Sequence, residues 1–136
     1  MHQRSSRLTA ATGGVAVLLG VFALSASPAQ AAESCAGRTP TIVGTAGDDT
    51  LHGTQGDDVI FGLAGNDRIW GHGGHDILCG GIGNDVFRAG WDDDHGYGGR
   101  GDDHGYGGRG HDSGYGGGGN DQDYGGRGDD HWYGDD

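Results

Sequence analysis

Residues 44–88 read GTAGDDTLH-GTQGDDVIF-GLAGNDRIW-GHGGHDILC-GGIGNDVFR, five nines without a slip of register. Glycine stands first and fourth in each unit. The sixth place is Asp49, Asp58, Asp67, Asp76 and Asp85, and the eighth is Leu51, Ile60, Ile69, Leu78 and Phe87. A short fixed period means one small structural unit stacked on copies of itself. With a single apolar inward place per nine residues, the units cannot assemble an ordinary globular core. Something besides hydrophobic burial has to hold the chain together.

The nonapeptide resembles the RTX, or hemolysin-type calcium-binding, repeat family. The resemblance is close over 44–88 and looser over 89–136. It implies an all-β fold, a parallel β-roll (a two-sheet β-helix solenoid) with Gly/Asp calcium-binding turns. In that family the first six residues of a unit form a turn and the last three a short strand, and two units complete a coil. The eighth residue then points inward, and the seventh and ninth outward, by the period-two alternation of a strand. Calcium takes six to eight oxygens from carboxylates and carbonyls, and the resemblance assigns the carboxylates to the sixth-place aspartates. Asp49, Asp67 and Asp85 line one side of the coil, and Asp58 and Asp76 the other. The best positions fall between Asp49 and Asp67, Asp67 and Asp85, and Asp58 and Asp76. Stacked layers lie about 4.8 Å apart. Adjacent carboxylates at that distance repel by roughly 1 kcal/mol in water and about 3.5 at an effective dielectric of 20. A divalent ion reverses that sign, so folding and calcium binding are expected to be one event.

Charge supports the same direction. The 136 residues carry a formal charge of -12, contain no lysine, and include 34 Gly. An acidic surface repels nucleic acid and anionic membranes, and a cation is its natural complement. Residues 1–31 read as a secretory signal: Arg4 and Arg7, the apolar run 15–24, then Ala29-Gln30-Ala31 as a cleavage site. The apolar run is too short to span a bilayer, so the protein is expected to be secreted, without membrane insertion after cleavage. Removal of those two arginines takes the charge from -12 to -14.

Cys35 and Cys79 are the only cysteines. For an exported chain an intramolecular Cys35–Cys79 disulfide is favoured, with two free thiols or an intermolecular bridge as alternatives. Residues 32–43 read as an N-terminal cap in which Thr41-Ile42-Val43 is a preliminary strand, Ile42 taking an eighth place. Val43, Val59, Phe61, Ile77 and Cys79 would form an apolar patch outside one sheet. Either the segment carrying Cys35 crosses that patch, or the patch pairs two molecules.

From residue 89 the nine-residue period continues with different content. Asp94, Asp103, Asp112, Asp121 and Asp130 keep the sixth place and are included among the expected metal ligands. The eighth place becomes Gly96, Gly105, Gly114, Asp123 and Trp132, while tyrosine takes the ninth at 97, 106, 115, 124 and 133. Ala89 and Asp92 replace the two glycines of the first such unit, so a boundary is placed at 88/89. Beyond it the expectation is divided between a continued roll and a disordered Gly/Asp/Tyr tail. The tyrosines either turn inward by a one-residue slip or form outward ladders. Inward Asp123 is costly unless it meets a cation. Arg100, Arg109 and Arg127 fall on turn rims.

Recurrent acid pairs such as Asp48-Asp49 belong to the repeat, and no HExxH, GxSxG or phosphate loop is present, so no enzyme is expected. The histidines of the mature chain occupy scattered unit positions with no constant ligand geometry. The functional expectation is a secreted calcium-binding protein that folds on binding. The alternatives are a structural or adhesive cell-surface protein that self-associates through the roll, and a disordered acidic cation buffer.

Overall fold

An apolar eighth place between outward seventh and ninth places is a strand pattern, and each unit forms one. The computed structural model describes residues 35–134, so the signal reading lies outside the described residues. The strands are β1 (Ile42–Val43), β2 (Thr50–His52), β3 (Val59–Ala64), β4 (Arg68–Gly73), β5 (Ile77–Ile82), β6 (Val86–Trp91), β7 (His95–Arg100), β8 (His104–Arg109), β9 (Ser113–Gly118), β10 (Gln122–Arg127) and β11 (His131–Tyr133). Odd strands make a six-stranded sheet in the order β1-β3-β5-β7-β9-β11, and even strands a five-stranded one, β10-β8-β6-β4-β2. Every pairing between these strands is parallel and joins residues one coil apart: Ile60 faces Leu78, Ile69 faces Phe87, and Tyr97 faces Tyr115. The result is an all-β parallel solenoid of about five turns, in which two nonapeptides complete each coil. Register does not change across residues 88 and 89, which lie together inside β6.

Between the sheets runs a thin apolar column. Ile60, Ile69, Leu78 and Phe87 are at most 1% exposed, and Ile42, Leu51 and Trp132 pack against them. Where the eighth place turns to glycine, two large rings extend over the gap. A Cβ at Gly105 would lie 2.7 Å from the Phe87 ring, and the space beside Gly114 is taken by Trp132. The Phe87 and Trp132 rings are 6.3 Å apart. Glycine at these inward places is therefore the complement of an aromatic residue on a neighbouring strand.

The long strands contain six residues, twice the three expected. Each runs from the seventh place through the third place of the following unit, leaving only the fourth to sixth places as the turn. A bend at the second place makes this possible. There φ is positive: 83° at Leu63, 84° at His72 and 119° at Gly81. That region is free to glycine and costs about 1 kcal/mol or more for a residue with a Cβ. Parallel pairing with the following coil, Leu63 with Gly81 and His72 with Gly90, holds both residues there.

Cys35 and Cys79 are joined by a disulfide. The N-terminal segment is thereby fixed to the outside of β5, leaving Cys35 1% and Cys79 7% exposed. Within the same patch Val59, Phe61 and Ile77 are half-buried and Val43 is exposed. The tyrosines point outward, in the ladder arrangement. Tyr97, Tyr115 and Tyr133 stack at 5.4 and 5.1 Å on one sheet, and Tyr106 and Tyr124 at 5.1 Å on the other.

Candidate metal centre

Every turn ends in its sixth-place aspartate, and the 18-residue register stacks these in two rows. One side carries Asp49, Asp67, Asp85, Asp103 and Asp121; the other Asp58, Asp76, Asp94, Asp112 and Asp130. Within a row each carboxylate accepts the backbone N–H of the aspartate one coil earlier. The Asp67 N–H donates to Asp85 Oδ1 at 2.7 Å, Asp76 to Asp94 Oδ1 at 2.8 Å, and Asp85 to Asp103 Oδ1 at 2.7 Å. Backbone carbonyls are used as well: Asp67 O accepts from the Val86 N–H and Asp85 O from the His104 N–H. For an aspartate within a row, this leaves one unsatisfied oxygen.

That oxygen is Oδ2. In Asp67, Asp76, Asp85, Asp94, Asp103 and Asp112 it is buried and has no hydrogen-bond partner, although the six residues are at most 1% exposed. Its surroundings are set by the first-place glycine. The space that a side chain on Gly80 would enter is flanked by Asp85 Oδ2 and the carbonyl oxygen of Gly98, and Gly62 stands likewise against Asp67 Oδ2 and the Gly80 carbonyl. A first-place side chain would fill the cradle.

Burial dominates the electrostatics. Loss of water raises the carboxyl pKa of Asp76 and Asp85 to about 6, of Asp103 to about 7 and of Asp94 to about 8, against an ordinary 3.8. Hydrogen bonds from the N–H of the preceding coil oppose the shift, and the neighbouring carboxylates of the row, first the one a coil earlier, add to it. Asp67 and Asp112 are raised for the same leading reason. Asp94, the most shifted, belongs to the one unit whose first place carries a methyl group, Ala89. An ionised carboxylate in such a place demands a cation or a proton.

Not all ten expected aspartates share this condition. Asp49 and Asp58 have Oδ2 occupied already: Thr45 donates its N–H and, at 2.8 Å, its hydroxyl to Asp49, and Thr54 donates the same pair to Asp58 at 2.6 and 2.9 Å. These two turns come first and have a second-place threonine with ordinary φ where later units bend. Asp121 and Asp130 are half-buried at the far end, and their Oδ1 atoms accept from Asp103 and Asp112.

Donor chemistry separates the metals. Among the described residues no group of three or more His, Cys, Asp or Glu side chains is arranged to hold an ion, so the four-ligand geometry zinc prefers is not offered. One carboxylate oxygen per turn among backbone carbonyls is the hard, all-oxygen environment of calcium. The residues present fit that ion.

A second row beside the first was not foreseen. The fifth place of all ten units holds only Asp, Asn or His, the three residues with a hydrogen-bond acceptor at the δ position. The Asn66 N–H donates to Asp48 Oδ1 at 2.8 Å, His75 to Asp57 Oδ1 at 2.9 Å, Asp102 to Asn84 Oδ1 at 2.9 Å and Asp129 to His111 Nδ1 at 3.1 Å. Here each side chain accepts from the following coil, the reverse of the sixth-place row. A groove of about 490 Å³ beside Asp57, His75, Asp93 and His111 marks the side where Asp and His alternate.

Fold and turns together define a parallel β-solenoid with rows of buried, cation-seeking carboxylates. The model of the RTX calcium-binding nonapeptide repeat matches the chain in four copies, at residues 43–78, 52–87, 80–105 and 88–123. Those matches cover more than half of the 136 residues, and the chain belongs to that family, whose repeats are calcium-binding. No curated protein and no solved structure gives a significant match.

Proposed function

We propose that this is a secreted calcium-binding protein without a catalytic role, in which ion uptake and folding are coupled. One observation carries the reading: six buried aspartate oxygens, on Asp67, Asp76, Asp85, Asp94, Asp103 and Asp112, have no partner within the protein. These oxygens would hold the ions, together with first-place carbonyls such as Gly80 and Gly98. Bound calcium supplies the positive charge that the rows lack. The stacked N–H to Oδ1 bonds orient each carboxylate so that Oδ2 faces the first-place cradle, which glycine leaves open in every unit but that of Asp94, where the methyl group of Ala89 occupies it. Export rests on the signal-like character of residues 1–31.

Calorimetric calcium titration of residues 32–136, with circular dichroism recorded in parallel, tests the coupling. The metal-free chain is expected to be mostly unfolded and to gain β signal at about 0.1–1 mM calcium, the range of extracellular modules. A chain that takes up no calcium, or is fully folded in chelator, would refute it. A structural or surface-adhesive role draws support from the exposed tyrosines Tyr115, Tyr124 and Tyr133. Sedimentation separates it: calcium-dependent oligomers favour assembly, and a monomer in both states counts against it.

A further inference from the structure

In this chain the acids are concentrated on the turn sides. The outer face of the five-stranded sheet carries none: β2, β4, β6 and β8 contain no Asp or Glu, and Asp123 on β10 lies opposite inward Gly105. Instead, each of four neighbouring strands bears one exposed arginine: Arg68 opens β4, Arg88 is third in β6, and Arg109 and Arg127 close β8 and β10. On the six-stranded sheet the strands carry a single arginine, Arg100. The first three step along the strands from the start of β4 to the end of β8, and Arg127 on the edge strand β10 lies in register with Arg109. Two are held by rings, with the Arg88 guanidinium 5.4 Å from the centre of Tyr106 and that of Arg109 5.1 Å from Trp91. Trp91 is 63% exposed.

A guanidinium laid over a ring keeps its N–H edge for an oxyanion, and that planar fork matches carboxylate and sulfate alike. The strands are roughly 20 Å long, so Arg88 stands about 7–10 Å from the acidic turns, near the Debye length at physiological ionic strength. Arg88 is thereby set apart from the acids, whereas Arg68 follows Asp67 directly and Arg109 and Arg127 stand three residues before Asp112 and Asp130, so the face is a row of arginines bordered by the acidic turns. A nucleic acid duplex, with a charge every ~1.7 Å of its axis, would press phosphates onto the acidic rows at both margins. A single flexible chain with spaced charges fits between them. We infer that this face binds a linear acidic polysaccharide, whose carboxylate or sulfate groups meet Arg68, Arg88, Arg109 and Arg127 and whose sugar rings lie against Trp91 and Tyr106.

The test uses the full chain in saturating calcium and fluorescently labelled glycans, read by anisotropy. Hyaluronate offers carboxylates alone, chondroitin sulfate adds sulfates, dextran is neutral, and a DNA duplex represents the other polyanion. Binding to chondroitin sulfate, with or without hyaluronate, and none to dextran supports the inference; the pair identifies which oxyanion is read. The double variant Arg88→Gln/Arg109→Gln should weaken binding about tenfold or more, with calcium uptake unchanged, while Arg100→Gln on the other sheet should not. The inference is overturned if neither acidic glycan binds, if Arg100→Gln costs as much as the double variant, or if the duplex binds more tightly than both glycans.

Discussion

Replacing Asp85 by Asn separates the two roles of the sixth-place carboxylate. The amide keeps an Oδ1 to accept the Asp67 N–H, which now lies at 2.7 Å, and puts an NH₂ where Oδ2 faces the Gly98 carbonyl. Without metal, the wild-type charge is a burden: a pKa raised from 3.8 to about 6 corresponds to about 3 kcal/mol above that pH, at 1.36 per unit. Burying the neutral amide costs about 1 kcal/mol of that gain. The metal-free fold of Asp85→Asn should therefore be about 2 kcal/mol more stable than wild type above pH 7. With calcium the sign reverses, because a neutral amide replaces a charged ligand. Folding driven by trimethylamine N-oxide in chelator reads the first effect even if the starting chain is unfolded. Thermal melts and ion stoichiometry in saturating calcium read the second. The reasoning fails if the variant folds less readily than wild type in chelator, or if it takes up as much calcium at undiminished melting temperature.

Other expectations concern pH, the core and the disulfide. The folded pKa values of Asp76, Asp85, Asp103 and Asp94 exceed the unfolded 3.8, so their neutral forms favour the metal-free fold. That contribution is complete below 3.8 and is lost as pH rises through about 6 to 8. Metal-free stability should fall between pH 5 and 8 while calcium affinity climbs, and a trimethylamine N-oxide folding midpoint in chelator that drops as pH rises would contradict the burial argument. Phe87→Ala empties the space over both Gly96 and Gly105 and should cost about 3–5 kcal/mol in urea unfolding with calcium. A loss under 1 kcal/mol would show that the ring is not the filler of those layers. Removing the Cys35–Cys79 bond, which spans 44 residues, with the pair Cys35→Ala/Cys79→Ala should cost about 4 kcal/mol on the chain-entropy scale. Unchanged urea midpoints would argue that the N-terminal segment stays docked without it.

Much of this was legible because a nine-residue period in a two-sheet coil leaves little freedom. Once Ile60 and Leu78 share a sheet, 18-residue stacking fixes every other pairing, including Ile42 with Ile60. Strand length was not legible, because first to third places rich in glycine read as turn formers. Backbone pairing between coils extends the strands there regardless of propensity, even through positive φ at Leu63 and His72. The distinct condition of Asp49 and Asp58 was hidden for a similar reason. All units share the sixth-place aspartate, and only the hydroxyl and N–H of Thr45 and Thr54 set the first two apart. The fifth-place row had a signal, the exclusive use of Asp, Asn and His, but it crossed the usual division between acids, amides and bases. What unites them is an acceptor atom at one reach from the backbone.

The two rows of stacked turns restrict how such a chain can lengthen or shorten. Excising nine residues would exchange left for right downstream, setting the histidine-bearing fifth places against the asparagine-bearing ones and moving each later strand to the opposite wall. Excising eighteen lets the severed edges meet with donors and acceptors still matched. Insertions and losses in nines keep the hydrogen bonds of the bends paired, because Asp, Asn and His all accept at the fifth place on either side, and only whole turns of eighteen also keep each later strand on its own wall.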